Sequence, residues 1–201
     1  GTGRLASIAA NIDMEGDMEV VAGNTAYRSD GSLYWQNTSV QDGFPGIGNF
    51  DNDIYPEIVV VGRSGADAFI YMLEHDGQLK WGPVFFRTTA TSQNGGGSAP
   101  TVADIDSDGH TDIVFSTTDR LIALEADGTV KWSKAINDPS SGVTGVSIFD
   151  LDGDGIKEVI FADQYNLQIF SGDNGDLLWT LQVGNGTLAE IPVIADVDND
   201  N

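Results

Sequence analysis

The chain has 201 residues, of which 40% are hydrophobic and 9% aromatic, enough for one domain with a sizeable core and too apolar for a disordered chain. Nine basic residues against 31 acidic ones give a net charge of −22, which argues against nucleic acid or an anionic membrane as partner. There is no cysteine, hence no disulfide or thiol chemistry, and no apolar run approaches the roughly 18 residues of a spanning helix, so membrane insertion is not expected.

In chain order, the apolar run Ile8–Ala10 leads into a nine-residue acidic stretch with Asn11, Asp13, Glu15 and Glu19 at positions one, three, five and nine, and Gly16 at six. The β-branched pair Val20 and Val21 follows, then Ala26 to Arg28, an Asp30-Gly31 turn, and a strand ending in Trp35. The same order recurs three times. Gly46 to Gly48 precedes Asn49, Asp51, Asp53 and Glu57, and Thr101 to Ala103 precedes Asp104, Asp106, Asp108 and Asp112. Ser147 to Phe149 precedes Asp150, Asp152, Asp154 and Glu158. Each is followed by two apolar runs, an Asp-Gly or Asn-Gly turn (Asp76-Gly77, Asp127-Gly128, Asn174-Gly175) and a tryptophan (Trp81, Trp132, Trp179). A fifth stretch, Asp196, Asp198 and Asp200, follows the apolar run Val193 to Ala195.

The stretches start at 11, 49, 104, 150 and 196, and spacings of 38, 55, 46 and 46 residues fall in the range of propeller blades. The pattern predicts an all-β chain, a β-propeller of four-stranded blades with the acidic loop between first and second strands. Blades are expected over about 4–37, 42–82, 97–133 and 143–180, with a fifth beginning at 190–201. The Asp-Gly and Asn-Gly pairs predict two-residue type I′ hairpins. Period two puts Leu33 with Trp35 and Val130 with Trp132 on one face, and the four tryptophans read as wedges between blades.

Alternating acids on a turning backbone with glycine at six suit a hard cation such as calcium, which takes six to eight oxygens at about 2.3–2.6 Å. An EF-hand loop would need a bidentate glutamate at position twelve, and in the fourth stretch that position is Phe161, inside a strand-like run. More than half of the 31 acids stand at the oxygen positions of the five stretches, so bound cations would neutralise much of the charge.

The run from Gly97 through Pro100 and Asp104 to Asp112 resembles an FG-GAP (VCBS) repeat, the blade unit of the integrin α-subunit propeller, common in large secreted and surface proteins of bacteria. That resemblance implies calcium in the acidic loops on one face and a protein or glycan partner, often at loops on the other, in an extracellular or cell-surface setting. The side-chain ligands it implies are those named above, Asp196, Asp198 and Asp200 included. Asp17, Tyr55, His110 and Ile156 stand at position seven, where His110 and Ile156 would offer backbone carbonyls. The loops at Asp104 and Asp150 should bind most tightly. The loop at Asn49 should be weakest, because Ile54 stands where glycine belongs and Pro56 follows. Tryptophan-ended strands also resemble quinoprotein-type propeller repeats, which lack the acidic loop.

The expected function is a non-catalytic, calcium-stabilised binding, adhesion or structural module. A carbohydrate-active propeller, lectin-like or polysaccharide lyase-like, is the alternative. Two histidines and scattered lysines and arginines form no catalytic constellation, and Phe85, Phe86 and Arg87, in the long connection after Trp81, are the visible candidates for partner contact. Further blades or another chain should cover the open ends of such an arc.

Overall fold

A computed structural model describes residues 6–88, 96–139, 142–184 and 191–195. Among them lie sixteen strands and no helix, in four antiparallel sheets whose strands follow chain order. The first sheet is β1 (Ile8–Ala10), β2 (Glu19–Ala22), β3 (Thr25–Tyr27) and β4 (Leu33–Gln36). The second is β5 (Phe44–Gly48), β6 (Glu57–Ser64), β7 (Asp67–Leu73) and β8 (Leu79–Phe86). The third is β9 (Thr101–Ala103), β10 (Asp112–Ser116), β11 (Arg120–Leu124) and β12 (Val130–Ala135). The fourth is β13 (Val146–Phe149), β14 (Glu158–Ala162), β15 (Asn166–Ser171) and β16 (Leu177–Gln182). The first strands β1, β5, β9 and β13 lie side by side in succession, as the inner strands of neighbouring propeller blades do.

The core consists of three layers between sheets, and strand alternation assigns side chains to them. Ile58 and Val60 of β6 pack toward the first sheet with Val21 and Ala26, while Val59 and Val61 pack toward the third with Ile113 and Phe115. On β7, Phe69, Tyr71 and Leu73 go one way and Ala68, Ile70 and Met72 the other. Both faces of β6, β7, β10, β11 and β14 are buried along most of their length, so these strands read as nearly continuous apolar runs. Position two of the first three acidic loops drops into the next layer: Ile12, Phe50 and Ile105 are buried. Leu151 at the same place in the fourth sheet is exposed, as are Trp179 and Leu181.

Three tryptophans wedge between sheets as expected. Trp35 Nε1 donates to the His75 carbonyl at 2.8 Å, Trp81 Nε1 to Ala126 at 3.0 Å, and Trp132 Nε1 to Gly172 at 2.7 Å. Each indole lies on the turn glycine of the following sheet, so that a Cβ on Gly77 would stand 2.6 Å from Trp35.

The turns differ from expectation. Only the glycine takes positive φ, +82° at Gly31 and +83° at Gly77, and Gly31 N–H donates to the Arg28 carbonyl while Arg28 N–H donates to Ser32. The first three are three-residue loops, a type I turn closed by a left-handed glycine, which bring a bulge with them, and the fourth has four residues, with Gly175 N–H donating to the Ser171 carbonyl. The bulged residues are Tyr34, Lys80, Lys131 and Leu178, each skipped in its ladder. The bulge breaks the alternation before each tryptophan, which leaves Leu33 and Val130 exposed while Trp132 is buried.

Residues 191–195 form no strand and have no ladder partner among the described residues, yet they continue the arc. Ser147 Oγ donates to the Pro192 carbonyl just as Thr101 Oγ1 donates to that of Val146. The fifth acidic stretch, Asp196, Asp198 and Asp200, lies outside the described residues. Phe85 and Phe86 end β8 instead of lying in a loop. Phe86 meets Phe115 edge-on at 5.4 Å within a core layer, whereas Phe85 and Arg87 are exposed.

Candidate metal centre

The four described acidic loops share one anchor. The carboxylate at position nine begins the second strand, is buried, and accepts the backbone N–H of position two: Glu19 from Ile12 at 3.1 Å, Glu57 from Phe50 at 2.8 Å, Asp112 from Ile105 at 3.0 Å, Glu158 from Leu151 at 2.7 Å. Position nine therefore closes the loop as a buried cap. Position three accepts the N–H of position five in each loop, as when Asp152 takes the Asp154 N–H at 3.2 Å.

Loops one, three and four share a backbone that loop two lacks. Gly16, Gly109 and Gly155 at position six have positive φ, and so do Met14, Ser107 and Gly153 at position four. Neither Asn52 nor Ile54 does. In loops three and four the position-one carboxylate accepts the position-six N–H, Asp104 from Gly109 and Asp150 from Gly155, both at 3.1 Å. In loop two Asn49 instead donates its side-chain amide to the Asp53 carbonyl at 2.8 Å. A donor thus faces inward where a metal would want an oxygen.

Neighbouring loops touch along one end of the sheets. Thr111 Oγ1 donates to the Asn49 carbonyl at 2.8 Å, Lys157 Nζ to the Asp104 carbonyl and Ser107 Oγ to the Gly155 carbonyl. His110 and Ile156 occupy position seven, each with its N–H on the position-five carboxylate. Asp17 is held by Ser29, and Tyr55 stacks on His75 at 4.0 Å.

Sequence reasoning missed two lysines, which are anything but scattered. The bulge on β8 aims Lys80 Nζ at Asp51 (2.6 Å), Glu57 (2.9 Å) and Glu74 (3.1 Å). The bulge on β12 aims Lys131 Nζ at Asp106, Asp112 (3.3 Å) and Glu125 (3.0 Å). Burial disfavours the charge on both lysines, but the carboxylates outweigh it and raise both ammonium groups above their usual range. Lys80 holds Asp51 below the usual carboxylate range, while burial pushes Glu57 up. Burial pushes Asp112 up to about 6, against the pull of the Ile105 N–H and of Lys131. The signal was present as a Glu-x5-Lys spacing across the turn, Glu74 to Lys80 and Glu125 to Lys131.

Three carboxylate groups converge closely enough to hold one ion, with oxygens within 4.8 Å of one another: Asp51, Glu57 and Glu74; Asp104, Asp106 and Asp108; Asp150, Asp152 and Glu158. The first surrounds Lys80. The other two fit a hard cation by donor chemistry, and Asp104 Oδ1 is buried without a hydrogen-bond partner, as is Asn11 Oδ1 at position one of the first loop.

The model of the FG-GAP-like repeat matches residues 49–115. No curated protein matches the chain in sequence. Among solved structures, the Vibrio cholerae biofilm matrix protein Bap1 is similar at a TM-score of 0.73 and 18% identity, over 98% of this chain and 58% of that one. Rhamnogalacturonan lyase YesW is similar at 0.61 and 13%, over 92% of this chain and 42% of that one, and Moraxella catarrhalis BamB at 0.50 and 16%, over 90% and 51%. The chain thus spans between two fifths and three fifths of these neighbours, and the likeness is one of fold. This chain carries an FG-GAP-like repeat at residues 49–115 and is an all-β partial propeller of four-stranded blades.

Proposed function

We propose that this chain is a calcium-stabilised binding, adhesion or structural module of an extracellular or cell-surface protein, and that it is not an enzyme. The observation that carries the reading is the row of acidic loops at one end of successive blades, two of which gather three carboxylates of one loop within 4.8 Å, the Asp150, Asp152 and Glu158 group with no lysine among the described residues against it. Calcium bound there would supply positive charge to a rim that repels itself, and would tie strand one to strand two in each occupied blade. Extracellular calcium modules bind at about 10⁻⁴–10⁻³ M, so such a rim is filled outside the cell. The fold it shares with a biofilm matrix protein agrees with a structural or adhesive role. Its partner is a protein or a glycan. The exposed face of the fourth sheet, Leu151, Trp179 and Leu181, takes a further blade or another chain.

Calorimetry in excess calcium and in excess chelator tests the reading. Calcium should raise the melting temperature. An unchanged melting temperature together with no calcium uptake would refute it, and calcium-dependent shortening of an acidic polysaccharide would replace it with the lyase-like alternative.

A further inference from the structure

The four bulges face the four acidic loops from equivalent places, but they carry different residues. Lys80 and Lys131 fill the bulges of the second and third sheets and bridge positions three and nine of their loops, assisted by Glu74 and Glu125 at the residue before the turn. In the first sheet the bulged residue is Tyr34, and Arg28, stacked on its ring at 4.2 Å, reaches Asp13 at 3.6 Å. In the fourth sheet the equivalents are Leu178, which is exposed, and Ser171, and no cation among the described residues reaches Asp152 or Glu158.

The oxygens arrange themselves accordingly. In the third loop, Lys131 lies against Asp112, and the converging group is Asp104, Asp106 and Asp108, without position nine. In the fourth, Glu158 stands within the group formed with Asp150 and Asp152. A fixed ammonium both consumes oxygen lone pairs and repels an incoming divalent ion at close range.

We propose that Lys80 and Lys131 are built-in cations of the second and third loops, and that the Asp150 loop, which receives none, takes its cation from solution and binds it most tightly. This rests on the calcium reading above and narrows the expectation that the Asp104 and Asp150 loops bind most tightly to the Asp150 loop alone. The rim then works in two modes. Each middle blade carries one fixed positive charge against its acids at any calcium level, and the fourth blade answers to calcium.

Calcium titration calorimetry on the metal-free full chain tests this. Asp152→Asn should remove the tightest binding step and Asp106→Asn should leave it in place. Leu178→Lys, a change at an exposed site, should weaken the tightest step by about tenfold or more, and Lys131→Met should strengthen third-loop binding by a similar factor. Because Lys131→Met removes a buried ion pair and is open to misfolding, Leu178→Lys decides alone if that variant does not fold. Loss of the tightest step in Asp106→Asn but not in Asp152→Asn, or an unchanged affinity in Leu178→Lys, overturns the proposal and leaves the calcium reading standing. Absence of any calcium binding by the wild-type chain overturns both.

Discussion

Gly31 and Gly77 allow the tryptophan wedge to be measured against a matched control. Both close the same three-residue turn, with φ of +82° and +83°, and both donate to the carbonyl three residues back at 2.9 Å. They differ in one respect: a Cβ on Gly31 would meet nothing within 4 Å, whereas on Gly77 it would stand 2.6 Å from Trp35 Cδ2. Gly31→Ala should therefore cost only the left-handed backbone strain, about 1–2 kcal/mol. Gly77→Ala incurs the same strain and must also push back the Trp35 ring, for about 1–3 kcal/mol of overpacking. If the ring moves, its bond to His75 goes as well, about 0.5–1.5 kcal/mol. The two variants should differ by about 1.5–4.5 kcal/mol. Urea unfolding at fixed calcium, followed by tryptophan fluorescence, reads both. In a Trp35→Ala background the cost of Gly77→Ala should fall to that of Gly31→Ala, because the coupling is between those two residues. Equal costs in the wild-type background would refute the wedge.

Tyr71→Phe should lose about 1–3 kcal/mol in urea unfolding, since Tyr71 Oη donates to the Gln41 carbonyl at 2.7 Å from a fully buried position. Burial also raises the Tyr71 phenol above its ordinary value of 10.0, so the unfolded chain gives up that proton first. Its contribution is therefore whole below the unfolded value and declines as pH rises past it, by up to about 1.4 kcal/mol per pH unit. The stability profile of Tyr71→Phe above that pH should be correspondingly flatter, and parallel profiles would contradict the assignment. Phe115→Ala, at a fully buried site edge-on to Phe86, should cost about 3–5 kcal/mol by the same measurement. Calcium at ten times its dissociation constant should add about 1.4 kcal/mol per occupied site, read as a chelator-reversible shift in melting.

Strand order, blade period and the placing of acidic loops were legible in the sequence because they rest on local patterns. Apolar runs such as Ile58 to Val61 form strands whatever their neighbours, and five acidic stretches at a blade-like period admit few other architectures. Even Ile54 announced a deviant second loop, since a β-branched residue avoids the left-handed turn that Gly16, Gly109 and Gly155 adopt. The turn type was misread for an equally physical reason. An Asp-Gly pair is compatible both with a two-residue turn and with a type I turn closed by a left-handed glycine, and only the ladder register separates them.

That register decided the rest. The single skipped residue on each fourth strand turned Lys80 and Lys131 toward carboxylates of loops 29 and 25 residues away in the chain, and no local pattern encodes such a distance. The same holds for the caps at position nine. In the sequence Glu57 and Asp112 are acids at ligand spacing, but in the fold they are buried and bound to a backbone N–H. The sequence by itself determined which residues are acidic and apolar along each blade, and which glycines close its turns. The tertiary structure determined which of those acids already have a cation, because charge pairing depends on where the third and fourth strands return and not on the spacing of the acids themselves.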